Sequence, residues 1–383
     1  MSDRPVIPLA CPEVTDEDRR AVMEVLSGPT LSIGPKIVAF EEAMARYAGR
    51  RYGIGVSSGT AGLHLVVRGL GIGRLDVDGP ADGPGDEVIT TPYSFVASAN
   101  CILFQNARPR FVDIDPATLN LNADLVESAV NEQTRAILAV DVFGLPAELP
   151  RLAEIAARHK MDLIEDSCEA LGASYSGRPA GSFGRASVFA FYANKQITTG
   201  EGGMIVTDDA ELAEMCRSLR NQGRGADGEW LAHPRLGFNY RLSEINAALG
   251  LSQLGRIESI LAARHAVAQR YIEALSEVRC VQTLTTPGGM KRSWFVFVVR
   301  ILPPADRDRV MRTLRDAGIQ CRPYFAPIHL QPFYVKRFGF AEGDFPATEA
   351  AARQTLALPF HNSLSERDLG RVVSVLRKAV GKL

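Results

Sequence analysis

The sequence is poor in the features that announce several large classes of protein. It carries almost no net charge: 43 Lys and Arg stand against 44 Asp and Glu, a formal −1. It therefore lacks the electrostatic footprint of a nucleic-acid or membrane-surface partner. Long apolar runs are missing, and "FVFVV" and "VFAFYA" have the length of strands rather than bilayer spans. The start, "MSDRPVIPLACPEV", lacks a basic segment followed by an apolar run of signal length, so the cytoplasm is the default expectation. Six cysteines (Cys11, Cys101, Cys168, Cys216, Cys280, Cys321) are scattered without a C-x-x-C pair, and six histidines show no H-x-x-x-H spacing. Metal chemistry is not expected, and the thiols read as reduced. The Walker and G-x-G-x-x-G patterns are absent as well, which argues against a mononucleotide or dinucleotide site.

What is present is alternation. Between about residues 50 and 220, strand-length apolar runs alternate with amphipathic helical stretches: "RYGIGVSS" before "TAGLHLVVRGLGI", "DEVITTP" before "SFVASANCILF", "TRAILAVDVFG" before "ELPRLAEIAARHK". Near-continuously apolar strands in that rhythm predict an α/β fold, its mostly parallel sheet covered by helices. Ligands in such sheets bind at the carboxyl ends of strands. The 383 residues allow a large domain, placed at 1–250, and a smaller α+β domain at 251–383. A long helical pattern over about 243–277 joins them, and the N-terminal segment 1–45 is expected to pack on the large one. "RLDVDGPADGPGDE", residues 74–87, reads as a surface loop. In the last helix Leu369, Val372, Leu376 and Val380 share a face behind an N-cap at Ser365.

Four strand ends carry the chemistry. In "SVFAFYANKQITTGEGGMIVTDD" a lysine, Lys195, follows an apolar run, a costly place unless it is paired, neutral or covalently used. An amine fixed there suits a Schiff base with a carbonyl cofactor. In "DLIEDSCEALGA", Asp166 closes a strand, where a carboxylate can hold a pyridine nitrogen protonated. Glu165 points to the opposite face. In "VSSGTAGLHL", Ser58, Gly59 and Thr60 open a helix whose free N–H groups suit a phosphate. In "TPYSFVASAN", Tyr93 and Phe95 offer rings to stack on a flat cofactor. Each alone has a commoner explanation: a surface lysine, an ion-pair member, a helix cap, a core aromatic. Together they supply an amine, a carboxylate, a phosphate cradle and a ring platform.

At this point nearly the whole chain resembles the DegT/DnrJ/EryC1/StrS family of pyridoxal-phosphate-dependent nucleotide-sugar aminotransferases. The matching segments include "GPKIVAFEEAMARYAG", "VSSGTAGLHL", "DVFGLPAEL", "LIEDSCEALGA", "NKQITTGEGGMIVTDD", "LGFNYRLSEINAALGLSQL" and "PIHLQPFY". The resemblance implies fold type I of the pyridoxal-phosphate transferases, resembling aspartate aminotransferase, with pyridoxal 5'-phosphate as cofactor. It implies that Lys195 bears the cofactor as a Schiff base and moves the proton, and that Asp166 partners the ring nitrogen. Glu169 stands where many members have glutamine near the ring hydroxyl. Gly59 and Thr60 match the phosphate turn, and Phe95 the stacked aromatic. Asn239 matches a residue lent to the neighbouring subunit's phosphate, so a C2 homodimer with shared sites is implied. His329 matches a histidine reaching toward the substrate or is a buried structural one, Arg241 contacts substrate or braces the dimer, and Tyr324 and His361 receive no role.

The chain departs from the family at Ala190, where many members carry a phosphate-binding serine; either Ser187 or Asn194 replaces it, or the phosphate loses one donor. The implied reaction is ping-pong transfer of an amino group from glutamate to a nucleoside-diphosphate-linked keto sugar. Two rival readings share the motifs: transamination of a free cyclitol ketone resembling scyllo-inosose, and a non-catalytic cofactor-binding regulator.

Overall fold

The computed structural model describes residues 5–73, 85–225 and 232–381. Most of the expected loop at 74–87 lies outside them, and Glu87 itself opens a strand. In chain order the first strands are β1 (Tyr52–Val56), β2 (Glu87–Thr90), β3 (Arg108–Phe111), β4 (Thr134–Val140) and β5 (Asp162–Asp166). A short hairpin, β6 (Ser174–Tyr175) and β7 (Arg178–Pro179), precedes β8 (Ala186–Ala190) and β9 (Gly203–Thr207). Beyond them lie β10 (Val281–Thr283), β11 (Met290–Lys291), β12 (Phe297–Ile301) and β13 (Thr355–Leu358).

The large sheet has the order β1-β9-β8-β5-β4-β2-β3. From β8 to β3 every neighbouring pair is parallel, whereas β9 runs antiparallel to both β1 and β8. The carboxyl ends of β1, β2, β5 and β8 therefore share one edge, and β9 begins at that same edge. Alternation within the strands sends side chains to two helical layers. Ile164 of β5 belongs to the same core as Leu63, Val66 and Leu212, whereas Leu163 belongs to the core on the other face with Leu149, Leu152 and Ile155. The α/β class with a mostly parallel, helix-covered sheet is as the sequence predicts.

The C-terminal sheet, β10-β12-β13, is antiparallel and has its own core. β12 serves two cores: Phe297, Val299 and Ile301 face the C-terminal one, and Val298 faces the large one. The last helix, Glu366–Val380, buries Leu369, Val372, Leu376 and Val380, and the Ser365 hydroxyl caps it by accepting the Asp368 amide. The expected long helix is two, Glu244–Gly255 and Ile257–Leu275. At Arg256 (φ −119°, ψ 21°) the backbone leaves the helical region, and its guanidinium is held by Glu13 and Asp18 at 2.6 and 2.7 Å. The first described residues depart from the expectation that 1–45 packs on the large unit. Ile7 bonds across to Gly318 and Gln320 and enters the C-terminal core. Among the described residues no helix is long and apolar enough to cross a membrane.

Candidate active site

A cavity of about 480 Å³ opens at the edge where the strands end. Ser58, Gly59, Thr60, Phe95, Asp166, Glu169, Asn194 and Lys195 all line it. Lys195 stands beyond the end of β8, which stops at Ala190; a turn closed by the Lys195 amide on the Tyr192 carbonyl (2.9 Å) brings it in. Its Nζ lies 3.5 Å from Glu169 Oε1 and 4.2 Å from the centre of the Phe295 ring. Burial pushes the Glu169 carboxyl up from its ordinary range, and the Lys195 charge opposes that rise.

Asp166 is positioned from two sides. Its Oδ2 accepts the Ser98 hydroxyl at 2.7 Å, its Oδ1 accepts the Cys168 amide at 3.2 Å, and Ser94 in turn meets Ser98 at 2.8 Å. Glu165 points the other way, as alternation requires. It is fully buried and accepts the amides of Gly181, Phe183 and Gly184 at 2.6–2.7 Å, with Arg50 3.6 Å away. Its role is to hold that loop.

Ser58 is the N-cap of the helix Gly59–Gly69, its hydroxyl accepting the Ala61 amide. The amides of Gly59 and Thr60 come before the first intrahelical acceptor and remain open to a ligand. The turn has no room for larger side chains. A Cβ on Gly59 would stand 2.8 Å from both Ala190 Cβ and Cys168 Sγ, and one on Gly203 would meet the Ser58 carbonyl at 2.7 Å. Phe95 is 62% exposed at the cavity, a ring face left open.

Of the two candidates to replace the missing serine, the structure brings only Asn194 to the cavity. Ala190 lines the wall. Ser187, an odd number of residues earlier on β8, points to the opposite face and is fully buried, its hydroxyl 3.1 Å from that of Ser167. Asn194 Oδ1 is buried without a hydrogen-bond partner among the described residues.

His329 lies away from this cavity, in keeping with the structural reading its motif also allowed. It is fully buried outside the cavity, with Nε2 3.1 Å from Glu349 Oε1. Burial lowers its pKa, and Glu349 works against that. Its place is structural: it helps to fix a carboxylate that also accepts the Gly343 amide. Arg241 and Asn239 lie outside this cavity as well. The Arg241 guanidinium donates to Asn221 Oδ1 at 3.0 Å, and Asn239 is exposed.

Sequence reasoning missed the opposite wall. Phe295, Tyr324 and Phe325 line the cavity from the C-terminal part of the chain, and Tyr192 stands at its mouth. The Tyr93 hydroxyl donates to the Tyr324 carbonyl at 2.6 Å, and the Phe143 and Phe325 rings stack at 5.3 Å. Burial, with the Glu169 charge beside it, pushes the Tyr324 phenol up to about 12. Tyr93, weighed as a stacking ring, is instead fully buried and supports this wall. Ser98 carried a readable signal, standing one helical turn after Ser94 behind the strand that ends in "TTP". His361 is buried beside Ser363 and takes no part in the cavity. A larger open crevice of about 730 Å³, between the helix Ile257–Leu275 and β11, contains none of the predicted site residues.

The model of the DegT/DnrJ/EryC1/StrS aminotransferase family matches residues 12–377. The chain belongs to that family. It is 38% identical to the GDP-perosamine synthase of Caulobacter vibrioides, over 98% of this chain and 99% of the relative. Among solved structures, DesV of S. venezuelae in complex with a ketimine intermediate aligns with a TM-score of 0.91 and 33% identity, covering 99% of this chain and all of that one. The sugar aminotransferase Spr1654 of Streptococcus pneumoniae, described as putative and solved in its PLP form, aligns at 0.91 with 26% identity over 98% and 99%. As a DegT/DnrJ/EryC1/StrS aminotransferase the chain is a pyridoxal-phosphate-dependent transaminase of the fold expected. The cavity fits that cofactor on its own terms: an amine, a braced carboxylate, two unengaged helix-start amides, an asparagine side chain and an open ring surround one space.

Proposed function

We propose that the chain transfers an amino group from glutamate to the keto group of a nucleoside-diphosphate-linked keto sugar, by a ping-pong reaction in sites shared across a C2 homodimer. The observation that carries this reading is the convergence of Lys195, Asp166, Phe95 and the Ser58–Thr60 turn on one cavity. When bound, pyridoxal phosphate supplies an electron sink and stores the amino group between donor and acceptor. Lys195 is the amine that bears it and the base that moves the proton at the reacting carbon. Asp166, braced by Ser98, keeps its charge directed at the ring nitrogen. Gly59 and Thr60 would hold the phosphate through their amides and Asn194 through its side-chain Nδ2, and Phe95 would cover the ring.

The nucleotide-sugar assignment is supported by the similarity to a GDP-perosamine synthase along the full length. Binding energy from a nucleotide far from the reacting carbon can be used to hold the keto carbon against the amine. Exposed Asn239, with Arg241 beside it, is available to a second subunit, which fits the shared site. The test is a panel of GDP-, UDP- and dTDP-linked keto sugars offered to the pyridoxamine-phosphate-loaded protein, beside free scyllo-inosose. Amination of a nucleotide-linked member, with glutamate regenerating the enzyme, is the expected result. Turnover of the free cyclitol alone would move the assignment to that substrate, and no spectral change with any amino donor would favour a regulator.

A further inference from the structure

Each time amino transfer leaves Lys195 unbonded, its ammonium must rest in a largely apolar wall, where a lone cation is costly. The structure shows where it rests. Nζ sits 3.5 Å from Glu169 Oε1 and 4.2 Å from the centre of the Phe295 ring, with 13% of the lysine side chain exposed. A carboxylate at that distance and a ring face within 6 Å both attract an ammonium.

Both partners are fixed independently of the lysine. Glu169 Oε2 accepts the Phe143 amide at 2.8 Å, and its backbone carbonyl accepts Gln196 Nε2 at 2.7 Å. The same Gln196 amide reaches Ser293 Oγ at 2.8 Å, tying Glu169 to the segment that carries Phe295. On the far side the buried Arg264 guanidinium donates to the Phe295 carbonyl at 2.7 Å. Phe295 is only 2% exposed, so its ring has little room to leave. The other groups here are already engaged or neutral. Asp166 is committed to Ser98 and the Cys168 amide, and burial keeps the Cys168 thiol and Tyr324 phenol protonated.

We propose that Glu169 and Phe295 form a standing berth for the free ammonium of Lys195, one wall from the segment after β5 and the other from the segment before β12. This rests on Lys195 being the cofactor-bearing lysine. In this role the two are positioning residues that act through Lys195. Phe295 owes its place to the C-terminal part of the chain, and nothing in the phosphate turn or the Asp166 strand end points to it.

The test is made on the full chain freed of cofactor, where the lysine is unbonded. Phe295 is replaced by mono-, di- and trifluorophenylalanine, which keep the ring's shape while weakening its negative face. The rate at which Lys195 is acylated at neutral pH is read by peptide mass spectrometry, with Lys36 as internal reference. The rate should climb with each fluorine, to about threefold for the trifluoro ring. Glu169→Gln, of the same shape, should raise it about tenfold. The Lys36 rate and the thermal midpoint should stay constant. A flat fluorine series, or an unchanged rate in Glu169→Gln, overturns the berth. Borohydride trapping of cofactor in the loaded wild type is scored separately: absence of the adduct at Lys195 would overturn the cofactor assignment and leave the acylation result readable.

Discussion

At the scale of single residues the site is a set of paired charges and engaged dipoles around one amine. Lys195→Ala removes that amine. Borohydride treatment of the cofactor-loaded variant should leave no mass tag on the peptide containing residue 195. Turnover should fall by about 10³-fold or more, the range lost with a proton-transfer group. Asn194 and Ser187 separate two accounts of the missing serine. Asn194→Ala should weaken cofactor retention by roughly 1.5 kcal/mol, about tenfold in dissociation constant. Ser187→Ala, whose hydroxyl faces Ser167 on the other side of the sheet, should leave retention unchanged. Equilibrium dialysis against pyridoxal phosphate reads both, and equal losses would contradict the face assignment.

At the scale of elements the helix Gly59–Gly69 does two jobs, opening its first amides to the cavity and anchoring its middle in a buried polar chain. His64 Nε2 meets Gln105 Nε2 at 2.5 Å, while Gln105 Oε1 accepts Arg68 Nη1 at 3.2 Å. Arg68 can only donate, so the amide nitrogen must face His64, and that ring nitrogen must accept. The imidazole is therefore neutral, with its proton on Nδ1 toward the Tyr240 hydroxyl at 3.3 Å. Burial first, and the Arg68 charge second, hold its pKa at about 4 against an ordinary 6.5. The unfolded chain thus binds a proton that the folded one refuses between those values. This group's contribution is fully present above pH 6.5, is lost as the pH falls from 6.5 to 4, and is constant below. Chemical denaturation should show a decline of about 2 kcal/mol across that window, and His64→Asn should remove that part of the slope.

The same scale shows what can be read from sequence. Lys195, Asp166, Ser58, Gly59 and Thr60 were legible because strand ends in a parallel sheet gather at one edge, and a short apolar run gives the end directly. Ser187 was not resolved, because its face depends on a count from a strand end that apolarity alone locates only to within a residue or two. The burial of His329 against Glu349 was not readable, because its motif states its neighbours in sequence and says nothing of what it packs against. Arg256 broke a helical pattern that periodicity continued, because the break is held by Glu13 and Asp18, more than two hundred residues away. Phe295, Tyr324 and Phe325 reach the cavity only by the docking of a second sheet, which no local pattern encodes.

At the scale of the whole molecule the cavity mouth is bordered by Phe95 and Tyr192, 62% and 52% exposed. Large rings left open beside a site fit a surface that a second copy covers. If Asn239 serves the neighbour's site, Lys195→Ala and Asn239→Ala place their lesions in different halves of a shared pocket. Dissociating and reassociating the two variants together should bring activity, above that of either alone, toward roughly a quarter of wild type, since half the dimers are hybrids with one intact site each. No recovery, with hybrids demonstrated by differential tagging, would place both residues in the same subunit's site.

The Phe143–Phe325 stack and the Tyr93–Tyr324 bond have a bearing on biosynthesis. A nascent polypeptide released after β11 would already possess the lysine, the aspartate and the phosphate turn, yet it would present them on an open shelf. Enclosure arrives with residues 295–325, so synthesis must pass well beyond the lysine before the cavity acquires its second wall.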